Sequence, residues 1–509
     1  MTMALCVRRF LLDYARNPVN VLMLVIVPVI FVAVAAQSIA DTAELLGGAG
    51  GAPATETSTA GWAAGFLSGI AMYFQVSSAR GTDRRLAIAG ISPRQLVAAR
   101  LLTGLILAAL VTAVALGVLA ARTGLDDPVR VGIGTMMFAA VYVGLGAIVG
   151  AWVPNPVNGT VLVLFVLIID VFFGPTMITQ DKPITRILPT HFVSLWMVDV
   201  PSGHESALSD LGWALVWAIG CLVAAFLVLR ATVNVDAAQR GRAKLGSVTD
   251  QMVAATALGI RNWRRNPILW ILLIVVPTVF IVLSEFITPS ELVPMTVTEG
   301  GIDKTEMVDI ANIHAATMAP IAVSSLAMLA GVFVVLDARS ADQRLNLAGL
   351  RTGALLSARL AVVGLAVLLS TFVALAVTAA LFRPPQWLSY ALANLLLAMT
   401  FGLLGVLAGP VFGRISGAFI AFLVPFIDLG MSQSPMLRGT PPDWAQYLPG
   451  YAGMRILIDA AVTDSFDEAR NLLLALGWIA ALLVASVLVF RHMIKSPSRP
   501  EIGSALVRT

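Results

Sequence analysis

The chain is a succession of long apolar runs broken by short polar stretches. The runs fall near residues 19–38, 60–79, 96–121, 131–152, 157–179 and 210–230, and again near 268–287, 314–336, 354–382, 388–411, 415–433 and 470–491. About 20 apolar residues let a helix cross the hydrocarbon core, so the pattern predicts an all-α integral membrane protein of about twelve transmembrane helices. Polar, charged residues 231–255 form a linker between a first six-helix half, 1–230, and a second, 256–495, which is followed by a tail, 496–509.

The two halves resemble each other. Arg16-Asn17-Pro18 matches Arg265-Asn266-Pro267, and Pro28 matches Pro277 at the same offset of 249. Arg80, Asp83, Arg85, Leu86 and Arg100 match Arg339, Asp342, Arg344, Leu345 and Arg359 at an offset of 259. Asp170 matches Asp428 at 258, and Pro189 and Asp199 match Pro449 and Asp459 at 260. The offset changes only between blocks, as loops of unequal length require, and such self-similarity marks a repeat architecture. Six spans is an even number, so the halves are expected to run in parallel, related by a pseudo-two-fold axis along the membrane normal.

Composition agrees. Of 509 residues, 58% are hydrophobic and 12% charged, against roughly 25% charged in soluble domains; the mean hydropathy is +0.88. A net charge of +4 could suggest nucleic acid in a soluble chain. Here the bases gather in a few loops, which reads as membrane orientation, and no nucleic-acid partner is expected. Arg80, Arg84, Arg85, Arg94 and Arg100 follow the second run, and the linker region carries a further basic cluster from Arg230 to Arg265. The segment after the first run has Asp41, Glu44 and Glu56 and no base, and its counterpart sets Glu291, Glu299, Asp303, Glu306 and Asp309 against Lys304. The excess of bases on one side places both termini in the cytoplasm. The basic start followed by an apolar run has the look of a signal peptide, but it recurs near residue 265, so both copies are read as first spans. A chain rich in Arg, Ala and Val with four lysines points to a GC-rich, actinobacterial genome and a bacterial cell membrane. Cys6 and Cys221 are placed too differently for a structural disulfide. The four histidines show no metal-ligand spacing, so no metal site is assigned.

Two segments in each half stand out. Val7, Phe10, Leu11 and Tyr14 share one helical face and Arg9, Asp13 and Arg16 another, which predicts an amphipathic helix lying in the interface before Asn17-Pro18. The second copy runs through Ile260, Trp263 and Arg265 to Pro267. The loop after the second run, Arg80 to Arg94, has the length of a short helix and a turn, with Ser92-Pro93 as a helix start. A charged helix held between two spans can take a push from a cytosolic partner and tilt them.

At this point the chain resembles the permease subunit of a type-2 ABC exporter, with two permease units fused, of the actinobacterial drug or antibiotic efflux type. Arg80-Gly81-Thr82, Leu86 and Ser92-Pro93 match that family's loop, although Asp83-Arg84 replaces its usual Leu-Glu. In the second half Arg339-Ser340-Ala341 replaces Arg-Gly-Thr and Arg351-Thr352 replaces Ser-Pro. Pro441-Pro442-Asp443-Trp444 and Tyr447-Leu448-Pro449 look like the family's external proline-rich segment, with Leu188-Pro189 a reduced copy. The resemblance implies that the loops at 80–95 and 339–354 are coupling helices. Arg80, Asp83, Arg84, Arg85, Arg94, Arg339, Asp342 and Arg344 would face ATPase subunits, and Arg9, Phe10, Arg16, Ile260, Trp263 and Arg265 would lie in interfacial connecting helices. The chain has no Gly-x-x-x-x-Gly-Lys-Ser/Thr phosphate loop, so it is expected not to be an enzyme itself. ATP and Mg would be bound by a separate partner, most simply two copies of an ABC ATPase subunit. The implied function is export of a small hydrophobic or amphipathic drug, antibiotic or lipid.

Asp170 and Asp428 occupy equivalent positions in the fifth runs. Intramembrane carboxylates are costly and usually face a bundle interior or water. They either flank a substrate path or accept hydrogen bonds from neighbouring spans. The competing class is a proton-coupled transporter of the major facilitator type, whose basic loop Asp83-Arg84-Arg85 superficially resembles; it lacks the repeated interfacial helix.

Overall fold

The computed structural model describes residues 3–45, 51–177, 185–198, 207–232, 267–288, 290–299, 302–347, 352–436 and 441–495. Helix α1 (Met3–Ala15) and helix α2 (Pro18–Ile30) meet at 81°. Asn17 between them is extended, at φ −99° and ψ 95°, because the ring of a following proline disfavours the helical region. A π-helical turn, Phe31–Ala35, leads into α3 (Ala36–Leu45). The first half continues with α4 (Gly51–Ile88), α5 (Pro93–Arg122), α6 (Pro128–Trp152), α7 (Pro156–Phe172), the short α8 (His191–Met197) and α9 (Ala207–Thr232). Proline opens α5, α6 and α7 at the position where its missing N–H costs nothing. Asp127 caps α6 through the Arg130 amide at 3.1 Å, and Asn155 caps α7 through the amides of Val157 and Asn158.

The second half comprises α10 (Pro267–Ile287), an antiparallel hairpin of β1 (Leu292–Glu299) and β2 (Ile302–Asp309), α11 (Ile310–Leu347), α12 (Thr352–Leu381), α13 (Trp387–Pro425), α14 (Tyr451–Val462) and α15 (Ala469–Lys495). A π-helical turn, Phe426–Ser432, extends α13. The hairpin departs from the all-α expectation: Val293, Thr296, Val297 and Thr298 are β-branched and favour strand. Its register runs from Leu292 opposite Asp309 to Glu299 opposite Ile302.

Among the described residues, seven helices are long and apolar enough to cross a membrane, or eight if the bent α1–α2 pair is one span. The apolar α7 and the Ile271–Phe286 part of α10 are shorter. The stretch Trp387–Ser432 is 46 residues, about 69 Å at 1.5 Å per residue, twice the ~30 Å hydrocarbon core. It breaks at Gly413, whose φ of 73° and ψ of −168° are non-helical. The protein is thus a mostly helical, multi-pass membrane protein.

Expected boundaries shift most at the loop after the second run. No loop occupies 80–88: α4 runs on through Arg80 to Ile88, and the turn is confined to Ala89–Ser92, with Gly90 at φ 93°. Gly81 weakens the Arg80–Ile88 stretch without breaking it, and the helix ends only where Gly90 supplies the left-handed turn.

Close glycine crossings hold each bundle. A Cβ at Gly146 on α6 would overlap the Gly69 carbonyl on α4, and one at Gly150 would stand 2.9 Å from the Tyr73 carbonyl. On α13, Gly405 meets the Met328 carbonyl of α11 in the same way, and Gly409 that of Val332 at 2.8 Å. Each of these four pairs maps onto its partner at the offset of 259. Small residues let membrane helices approach closely, and this is where contact drives association in lipid.

Candidate functional site

The basic end of α4 is tied down rather than loose. Arg100 on α5 donates to Asp83 through Nε at 3.0 Å and Nη2 at 2.7 Å. The Arg100 guanidinium lies 3.7 Å over the Phe10 ring of α1. The face of Cys6, Val7 and Phe10 packs on α5 at Ala99, so α1, α4 and α5 form one unit. Arg80 donates to the Gly150 carbonyl at the end of α6, through Nε at 3.0 Å and through Nη2. Gly81, Thr82, Arg85, Ile88, Arg94 and Gln95 are exposed, and Arg84 is half-buried. Ile88 is 81% exposed beside these bases.

The second half repeats the central feature. Arg359 on α12 donates to Asp342 on α11 at 3.1 and 2.6 Å, with the same 17-residue separation as Asp83 and Arg100. Asp342 is fully buried and Arg344 exposed. Arg339 is half-buried, and its Nε has no hydrogen-bond partner. Instead of an Arg80-type anchor, Asp337 of α11 pairs with Arg414 next to the α13 break at 2.7 Å. Arg9 and Arg16 are exposed, Arg16 pairing with Asp13 at 3.7 Å. Ile260, Trp263 and Arg265 lie outside the described residues.

The two intramembrane acids sit on helix starts. Asp170 accepts from Tyr142 at 2.8 Å, from the Thr190 hydroxyl at 2.7 Å and from the Thr190 amide at 3.3 Å, at the head of α8. Asp428 accepts from the Gly450 amide at 2.9 Å, at the head of α14, and from Gln433 at 3.0 Å. A side chain at Gly450 would strike Asp428 and Leu429, so glycine is needed for the amide to reach the carboxylate. Negative charge at a helix N-terminus is favourable, and the geometry fixes each short helix against the bundle.

Between the halves is a narrow cavity of about 20 Å³, room for about one water. Its walls come from α4, α7, α10, α11 and the part of α13 after Gly413, among them Phe66, Thr160, Phe280, Ser325 and Phe422. Neither Asp170 nor Asp428 lines it. The walls are apolar except for Thr160 and Ser325, whose hydroxyls are buried without a protein hydrogen bond. Sequence reading passed over these residues, because single hydroxyls in apolar runs resemble packing groups. The Gly61-Gly65-Gly69 spacing was the one available sign that α4 is central.

Residues 60–231, from within α4 to the end of α9, match the family model described as ABC-2 family transporter protein. The match covers about a third of the chain, and over that segment it supports a likeness to ABC-2 type permeases. No curated protein matches the chain.

Proposed function

We propose that the chain forms the membrane path of an ATP-driven exporter, two parallel six-span permease halves fused, which moves small hydrophobic or amphipathic compounds out of a bacterial cell. Two copies of a separate ATPase subunit dock from the cytoplasm on the ends of α4 and α11, and both termini of the chain lie on that side. The observation that carries this reading is the Asp83–Arg100–Phe10 assembly, with its echo in Asp342–Arg359. It makes the basic end of α4 rigid with α5 and α1, while Arg80 ties it to α6. A push at Arg85 and Ile88 therefore reaches the closely crossed α4–α6 pair, and α4 carries Phe66 and Ile70 into the cavity wall. Carboxylates committed to Arg100 and to helix starts leave the fixed chemistry of a lever and a scaffold rather than of a proton relay.

The test is uptake of a lipophilic dye into inside-out vesicles containing the chain and its ATPase partner. Accumulation that requires ATP and survives a protonophore is expected. Accumulation driven by a proton gradient without ATP overturns the proposal.

A further inference from the structure

The repeat locates the pseudo-two-fold axis between the halves. Across a two-fold, a residue that touches its own counterpart lies at the axis. Phe74 of α4 and Phe333 of α11 are counterparts at the offset of 259, and their rings stack at 6.3 Å with 19° between their planes. Equivalent positions along the same two helix faces form layers: Phe66 with Ser325, Ile70 with Leu329, Phe74 with Phe333, and Ser78 with Asp337. The four residues of the first two layers line the narrow inter-half gap. Phe74 and Phe333 are buried. Ser78 and Asp337, one turn further toward the ends of α4 and α11, are exposed. The ring pair is therefore the last apolar layer between the gap and solvent at the basic ends.

The two rings are held differently. Tyr73 packs edge-on to Phe74 at 5.0 Å and donates its hydroxyl to the Asn155 carbonyl in the α6–α7 turn at 2.8 Å. Phe74 thus moves with α4, α6 and that turn, the parts that Arg80 also ties together. The residue equivalent to Tyr73 is Val332, which has no hydroxyl to give. Stacking adds only modestly to the burial of two rings, so the pair can seal and still part when α4 shifts.

We infer that Phe74 and Phe333 are the gate of the inter-half path on the cytoplasmic side, closed here by ring-on-ring contact. The apolar rings exclude ions and water while α4 is at rest. A shift of the α4 end draws Phe74 off Phe333 and joins the gap to the exposed layer of Ser78 and Asp337. This rests on the reading of the basic ends as cytoplasmic and of the space between the halves as the transport path.

The test is cysteine accessibility in inside-out membrane vesicles, with the membrane-impermeant thiol reagent trimethylammonioethyl methanethiosulfonate added outside. The full chain carries Cys6→Ala and Cys221→Ala and one reporter, Leu329→Cys on the gap side of the rings or Ser78→Cys on the solvent side. Ser78→Cys should be labelled rapidly and Leu329→Cys protected. Phe74→Ala/Phe333→Ala should raise the rate at Leu329→Cys about tenfold, the effect of losing one stacked pair, and leave Ser78→Cys unchanged. If that double variant does not fold, Phe74→Leu, which removes the stacking with little loss of volume, should still raise the rate. Labelling of Leu329→Cys as fast as Ser78→Cys with both rings present overturns the gate and leaves an inter-half path standing. Protection of Leu329→Cys that is the same with and without the rings overturns the gate and the path together, because the axis is then solid packing. Labelling of Ser78→Cys only from the opposite face overturns the cytoplasmic placement of the gate.

Discussion

Removing Asp83 should unseat the basic end of α4 more than its position near the aqueous boundary suggests. The Arg100 side chain is 10% exposed and the Asp83 side chain 14%, and the pair is bidentate. Deleting one partner of a buried pair costs about 3–5 kcal/mol because a charge is stranded, whereas surface pairs are worth about 0.2–1 kcal/mol. Partial exposure places Asp83→Ala between these, at about 2–3 kcal/mol. Arg100→Met keeps an apolar stem over Phe10 but strands Asp83 instead. The double variant leaves no stranded charge, so it should be less damaging than the sum of the singles by about 2 kcal/mol. Asp342→Ala should cost more than Asp83→Ala, because the Asp342 side chain is 0% exposed. Denaturant titration in detergent micelles, followed by circular dichroism, measures all four. Exposed Arg85→Ala is the control and should stay within about 0.5 kcal/mol of wild type. Additive singles with Asp83→Ala below about 1 kcal/mol would refute the reasoning, since the pair would then be a solvated surface contact.

The glycine crossings give a second prediction. Gly146→Ala and Gly405→Ala should each destabilise by about 1–3 kcal/mol through overpacking, while Gly117→Ala, which meets nothing within 4 Å, should be silent or slightly stabilising; thermal midpoints in micelles decide. A third prediction concerns pH at α14, which is 12 residues, about 18 Å, and too short to cross. Burial pushes the Asp459 carboxyl above its ordinary range, Asp467 and Glu468 add to this, and hydrogen bonds from Thr463 and Gln386 oppose it. A raised folded-state pKa gives a contribution that is full below about pH 4, the unfolded value, and is lost as pH rises through the folded value. Relative to Asp459→Asn, the wild type should therefore lose thermal stability between pH 4 and 7; a gap moving in its favour would contradict the burial argument.

Two local breaks were legible from the sequence. Asn17-Pro18 bends α1 away from α2, and Ser92-Pro93 starts α5, where proline follows a polar, non-helical residue, whereas Pro28, Pro277, Pro320 and Pro410 sit inside helices that continue through them. The pairing of Arg80, Asp83 and Arg100 with Arg339, Asp342 and Arg359 was legible as a repeat, but not that Asp83 and Arg100 touch. That contact depends on α4 continuing through Ile88 to bring Asp83 onto α5. The β1–β2 hairpin was hidden by its acids, which read as an external loop. The inter-half gap was least legible, because its walls come from five helices far apart in sequence and no local pattern encodes their meeting.

The central claim, that this membrane component is driven through the basic end of α4, is tested most directly with the ATPase partner. Candidate ATP-binding-cassette subunits are co-purified with the wild-type chain and with Arg85→Glu/Arg94→Glu, both exposed positions outside the Asp83–Arg100 pair. A stable complex whose ATP hydrolysis is coupled in the wild type, and weakened or dissociated by charge reversal while the fold is kept, is the predicted result. A wild-type chain that binds no such subunit, or a complex indifferent to the reversal, would contradict the account.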